Sequence, residues 1–145
     1  MGRDGDHEHE SAVAVAQRFS DCFNAVDFEA MREVLAPDIV FQDFQHAPDQ
    51  DPIVRGHEEL LKTFRFYLDS FEDFSTELID PFAVGDGAAI GTIEWRGTGA
   101  GSDVPFVHRT VDVVWVSAGR ITHYSSGFLS LEEAVKAIEA DRRPG

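Results

Sequence analysis

Asp43 ends a short run, Ile39-Val40-Phe41-Gln42-Asp43-Phe44, that lies between two helical segments. On an alternating strand its carboxylate shares a side with Ile39 and Phe41. A carboxylate drawn out of water among such neighbours is a candidate base for moving protons. The same position also suits a strand-ending aspartate that accepts backbone hydrogen bonds from the following loop. Other residues capable of chemistry carry less weight. Cys22 lies near the apolar stripe of a helix, where a thiol packs as a small hydrophobe, and is rejected as a nucleophile. His7 and His9 stand in a polar tail that holds no ligand in place, and His46, Asp49 and Asp51 match no metal-ligand spacing. Gly85-Asp86-Gly87 and the stretch from Gly97 to Gly101 fall where hairpin turns are expected, and no glycine-rich phosphate loop follows a strand. Catalysis is therefore expected to need neither a metal nor an organic cofactor.

A chain of 145 residues forms one domain that buries roughly two thirds of the surface its unfolded form exposes, enough for a pocket as well as a core. Apolar residues make up 43% of it and twelve are Phe, which supplies bulky material for pocket walls. The 12 basic against 27 acidic side chains leave a net charge of -15. Such a field repels phosphate backbones and anionic lipid, so neither nucleic acid nor a membrane is the expected partner. A single cysteine excludes an intrachain disulfide, and no apolar run approaches the roughly 20 residues of a membrane span. The first ten residues lack a signal-peptide core. A cytoplasmic protein is expected.

Helical periodicity starts at Ser11, a suitable N-cap, with Ala12, Val15, Ala16, Phe19, Phe23 and Val26 on one face. Asp27 can cap a second helix carrying Phe28, Met31, Val34 and Leu35, which Pro37 stops. The strand with Asp43 follows, and Gln45 to Arg55 reads as a loop. Leu60, Leu61, Phe64, Leu68 and Phe71 make the stripe of a third helix after Gly56. Four antiparallel strands are then expected over Phe74 to Val84, Ala88 to Gly97, Val107 to Val116 and Arg120 to Leu129. Ser130 to Glu133 fits a capping box before a short helix with Leu131, Ala134, Val135 and Ile138. Residues 1–10 are expected to form a disordered acidic tail, 11–140 the single domain and 141–145 a polar tail. This order predicts an α+β fold, its helices covering one face of a curved sheet that wraps around a cavity. The strand from Val111 to Val116 alternates less cleanly than a one-sided sheet should, which predicts a homodimer with Val114 and Val116 at a sheet-to-sheet interface.

Three stretches carry a resemblance to a known superfamily. They are Ala16-Gln17-Arg18-Phe19 through Asn24-Ala25-Val26-Asp27; Leu35 to Asp43 with Arg55-Gly56-His57-Glu58-Glu59-Leu60; and Ala118-Gly119-Arg120-Ile121-Thr122. In their order and spacing the chain resembles the nuclear-transport-factor-two-like superfamily, the cone-shaped α+β barrel shared by ketosteroid isomerases and SnoaL-like polyketide cyclases. The resemblance implies that Asp43 corresponds to the isomerase base, which takes a proton beside a ketone and returns it elsewhere. In that relative a tyrosine and a protonated aspartate support the enolate. Here Phe19 stands at the tyrosine's position. Counting back from the hairpin glycine puts Val111 at the acid's, while a shift of one residue puts Asp112 there.

With Val111, Val113 and Trp115 facing the cavity, alternation turns Arg109 inward near the rim and His108 away. The matching face of the last strand then shows Thr122, Tyr124, Ser126 and Phe128. Tyr124 and Arg109 become the candidate electrophiles, with Phe19, Phe23, Phe41, Tyr67, Trp115 and Phe128 as walls. Glu94 and Arg96, two apart on one strand face, resemble charged residues of epoxide hydrolases in the superfamily, but the aspartate such enzymes carry near Gly127-Phe128-Leu129 is missing, and an exposed cross-strand charge pair explains the two residues adequately. The expected function is a small cofactor-free isomerase or cyclase. Asp43 would move a proton on a hydrophobic, carbonyl-bearing molecule of polyketide, terpenoid or steroid type. The rival is a non-catalytic domain of the same fold that binds a hydrophobic ligand or dimerises.

Overall fold

A computed structural model describes residues 11–43, 53–85, 87–99, 101, 104–128 and 130–141. Helix α1 (Ala12–Asn24) begins where the Ser11 hydroxyl accepts the Ala14 amide hydrogen at 3.1 Å. Helix α2 (Phe28–Val34) begins where Asp27 Oδ1 accepts that of Ala30. Both side chains satisfy amides that the first helical turn leaves without partners. Strand β1 (Leu35–Asp43) then pairs antiparallel with β2 (Ile53–Arg55), three residues expected to belong to a loop. Residues 44–52, which include Phe44, His46, Asp49 and Asp51, lie outside the described residues.

Helix α3 (His57–Asp69) ends before Phe71, which the sequence placed on its stripe. The Ser70 hydroxyl donates to the Phe66 carbonyl at 2.8 Å, and Phe71 instead starts β3 (Phe71–Val84) opposite Gly99. Strands β4 (Ala88–Gly99), β5 (Pro105–Ser117) and β6 (Arg120–Phe128) follow, and helix α4 (Leu131–Asp141) starts where Ser130 Oγ accepts the Glu133 amide hydrogen.

Among the described residues, four helices and a curved, unclosed six-stranded sheet make an α+β architecture. The strand order is β2-β1-β6-β5-β4-β3, with β1 parallel to β6 and the other pairs antiparallel. The main core joins α1, α2, α3 and β1 to the inner sheet face through Val15, Phe19, Phe23, Met31, Ile39, Leu60, Phe64 and Ile121. Asn24 pins the end of α1 to β3: its amide donates to the Thr76 carbonyl at 2.8 Å and accepts the Thr76 amide hydrogen at 2.7 Å.

A second core lies on the other side of the sheet, where Ile90, Val113 and Phe128 meet Ala134 of α4, with Val111, Trp115, Val135 and Ile138 around them. This explains the weak alternation of β5. Its second covered face belongs to Val111, Val113 and Trp115 and is covered by α4, whereas Val114 faces the cavity and Val116 packs on the main core. The sheet-to-sheet role expected of Val114 and Val116 is thereby corrected. Among the described residues no helix is long and apolar enough to cross a membrane.

Candidate active site

Between the helices and the inner sheet face lies a cavity of about 280 Å³. Its largest wall residues are aromatic: Phe19 and Phe23 from α1, Phe41 from β1, Phe64 and Tyr67 from α3, Phe71 and Phe74 from β3, Trp95 from β4 and Phe106 from β5. Edge-to-face and tilted contacts fix these rings against one another, as in Phe23 on Phe64 at 5.3 Å and Phe41 on Tyr124 at 5.3 Å.

Five alternate residues of β5 line the cavity: Phe106, His108, Thr110, Asp112 and Val114. The sequence reading took the opposite face. Val111, Val113 and Trp115, expected to face the cavity, pack on α4 instead, so they are not cavity walls. His108, expected to point away, lines the cavity. Arg109 lies outside it with its side chain 64% exposed, each of two nitrogens 2.8 Å from Glu94 Oε1. Arg96 holds the other Glu94 oxygen. Hydrogen bonds from Arg109 and then Arg96 hold the Glu94 carboxyl below the usual range, which makes this an ion-pair cluster on the sheet's outer face. Arg109→Gln is expected to lower the melting temperature and leave cavity chemistry unchanged. A fall in turnover at unaltered melting temperature would return the guanidinium to the site.

Strand β6 also departs from simple alternation. Tyr124 and Ser126 line the cavity. Val111 pairs with Phe128 but Val113 with Ser125, so β6 carries one extra residue opposite Asp112. Gly127 sits in this bulge at φ 96°, a conformation that glycine adopts without a Cβ penalty. The bulge reverses the side on which Phe128 emerges, which removes it from the cavity and puts it in the second core. It also aims a backbone N–H inward, where Gly127 donates to Asp112 Oδ1 at 3.2 Å.

Asp112 is 4% exposed and surrounded by donors. Trp95 Nε1–H donates to Thr110 Oγ1 at 3.0 Å, and the Thr110 hydroxyl donates to Asp112 Oδ1 at 2.9 Å. The Tyr124 hydroxyl donates to Oδ2 at 2.8 Å, and Ser126 Oγ lies 3.1 Å from Oδ2. Gly91, facing Asp112 across the β4–β5 pair, leaves room for Leu78, whose Cδ1 would stand 2.4 Å from any Cβ placed there. Burial raises the Asp112 pKa against the pull of these hydrogen bonds, and burial with the Asp112 charge raises that of Tyr124 well above a free phenol.

The folded chain therefore holds the Asp112 proton more tightly than the unfolded chain does. That contribution to stability is complete below the free aspartate value of about 3.9 and is lost as pH rises through the higher folded value. Asp112→Asn, which cannot titrate, is expected to gain stability relative to the native chain as pH rises from about 4. Urea unfolding at stepped pH measures that difference, and a difference independent of pH would contradict a raised Asp112.

Asp43 ends β1 half-buried and lines the same cavity. Tyr67 Oη lies 3.5 Å from Asp43 Oδ2, a long contact. Burial, with the Asp43 charge and this contact, raises the Tyr67 pKa and keeps it a donor. Asp43 pairs with Ser126 across the parallel β1–β6 ladder, and Asp112 lies on the next strand. Two strand spacings put the α-carbons of the two aspartates about 10 Å apart on one inner face. Among the described residues no three His, Cys, Asp or Glu side chains gather to hold a metal.

A family model described as a SnoaL-like domain matches residues 16–124. The chain belongs to the SnoaL-like domain family. No curated protein matches it significantly in sequence. Among solved structures, this SnoaL-like domain is similar to a protein from Bacillus subtilis assigned as an isomerase, at 16% identity and a TM-score of 0.73, covering 83% of this chain and 87% of that one. It is also similar to IdmH from Streptomyces antibioticus, assigned as a polyketide cyclase, at 22% identity and a TM-score of 0.70, covering 89% of this chain and 98% of that one. RV0760c from Mycobacterium tuberculosis, solved in complex with estradiol-17beta-hemisuccinate, matches at 17% identity and a TM-score of 0.70, covering 83% of this chain and 95% of that one. At these identities the likeness is one of fold.

Asp112 is the site residue that sequence reasoning left open, and a signal for it existed. The amphipathic helix after Ser130 needs an apolar surface, and Val111, Val113 and Trp115 offer one only when they face outward.

Proposed function

We propose that this SnoaL-like domain is a cofactor-free enzyme that moves a proton next to a carbonyl, with Asp43 as base and Tyr124, backed by Asp112, as the donor to the oxygen. The observation that carries this is the placement of Asp43 on β1, Tyr124 on the neighbouring β6 and Asp112 on β5 beyond it, all lining one aromatic-walled cavity. Asp112 Oδ1 accepts from Gly127 N–H and from the Thr110 hydroxyl, which itself accepts from Trp95, so both lone pairs of Oδ1 are engaged. A proton on Asp112 therefore sits on Oδ2, facing Tyr124. In that state Asp112 donates to the Tyr124 oxygen and leaves the phenol hydrogen free to point into the cavity. With Asp112 ionised, Tyr124 turns its hydrogen back toward Oδ2.

The reaction follows from these positions. Asp43 takes a proton from the carbon beside the carbonyl, the C–H electrons shift to make an enolate, and Tyr124 donates to the oxygen that gains charge. Asp43 then returns the proton to another carbon, which is isomerisation, or the enolate carbon attacks a second carbonyl, whose π electrons pass to its oxygen, and that oxygen takes up the proton held by Asp43, which is aldol cyclisation. Hydrophobic polyketide, terpenoid or steroid carbonyl compounds are the substrate class, supported by the aromatic lining and by the estradiol ester bound to RV0760c.

Exchange of α-hydrogens of 2-tetralone in deuterated water, followed by NMR, tests the proposal without knowledge of the natural substrate. Exchange above the buffer rate is expected. The apolar lining favours one rival, a pocket that binds without chemistry. Saturable 2-tetralone binding with no exchange would establish that rival instead.

A further inference from the structure

The polar groups of the cavity are not confined to its reacting end. His108, Thr110 and Asp112 occupy alternate positions of β5 and all line the cavity. Exposure falls along the row: His108 is exposed, Thr110 is 6% and Asp112 is 4% exposed. The strand therefore runs from the cavity mouth to its closed end and carries a hydrogen-bonding group at each. Alternate strand residues stand about 7 Å apart, so His108 lies about 13 Å from Asp112 at the α-carbons.

Aromatic rings surround the same mouth. Phe71 meets Phe106 at 4.9 Å, Phe74 meets Trp95 at 6.0 Å, and Trp95 pairs with His108 across the β4–β5 ladder. A molecule seated there has its flat faces against rings and its two ends against polar groups. We infer that His108 is a second recognition point, and that the substrate class is elongated, flat molecules with an oxygen function at both ends. One oxygen would meet Tyr124 and Asp112, and the other would meet the His108 imidazole at the mouth. The inference rests on the proposed assignment of the Tyr124 end as the carbonyl site.

Two rigid probes separate the ends: 4-phenylphenol, with one hydroxyl, and 4,4′-dihydroxybiphenyl, with one at each end. Calorimetric titration of the native chain is expected to show the second hydroxyl tightening binding about five- to tenfold, the gain of one hydrogen bond. His108→Phe keeps an aromatic ring and loses the polar nitrogens, so the two probes should then bind alike. His108→Gln, which retains a donor, should recover most of the gain. An equal affinity for both probes in the native chain, or an undiminished gain in His108→Phe, would overturn the inference. Tyr124→Phe should weaken both probes together and leave the ratio intact. If it weakens neither, the Tyr124 assignment fails while the role of His108 is still decided by the ratio.

Discussion

Asp43→Asn is expected to lower α-hydrogen exchange on 2-tetralone by at least about a hundredfold, which corresponds to roughly 2.7 kcal/mol of lost transition-state stabilisation. The amide occupies nearly the same volume and still accepts a hydrogen bond from Tyr67, so the fold and the binding of 2-tetralone should persist. What it cannot do is take a proton. A positioned base contributes about 10²- to 10⁴-fold, which sets the size of the loss. Exchange continuing at the native rate in a folded Asp43→Asn chain would take Asp43 out of the mechanism. Ser126 pairs with Asp43 on the neighbouring strand but touches Asp112, so it does not supply a second base on the Asp43 side.

Tyr124→Phe is the second large effect, with an expected loss of about 10²- to 10³-fold in the rate constant, the range found when one oxyanion donor is removed. The phenylalanine ring keeps the packing of Tyr124 against Phe19 at 5.9 Å and Phe41 at 5.3 Å, so the loss should fall on the rate and not on folding. Asp112 provides an independent check through pH. Because the free phenol hydrogen requires protonated Asp112, exchange should decline as pH rises through the raised Asp112 value. In Asp112→Asn the amide can donate to Tyr124 at every pH, so that decline should vanish. A profile unchanged by Asp112→Asn would show that Asp112 does not control the donor.

The division between what sequence could determine and what tertiary structure decided runs through β5 and β6. Local rules sufficed for the caps at Ser11 and Asp27, the body of the helical stripes though not their ends at Val26 and Phe71, and the strand that carries Phe41 and Asp43 toward the cavity, because each depends on neighbours within a few residues. The α+β order of elements was legible for the same reason, being written in changes of period, and the resemblance of three short stretches implied the SnoaL-like fold. The inward face of β5 was not. Period two defines two faces and does not say which one meets the cavity, and here α4, distant in sequence, covers the more apolar of them. That assignment sends Arg109 outward to Glu94 and brings His108, Thr110 and Asp112 inward. The β6 bulge was hidden as well, since an extra residue shows only against the partner strand it fails to match. It removes Phe128 from the cavity wall and supplies the Gly127 amide to Asp112. Local patterning in the sequence determined the elements and the candidate base, whereas pairing register and the packing of α4 decided which carboxylic acid stands opposite it.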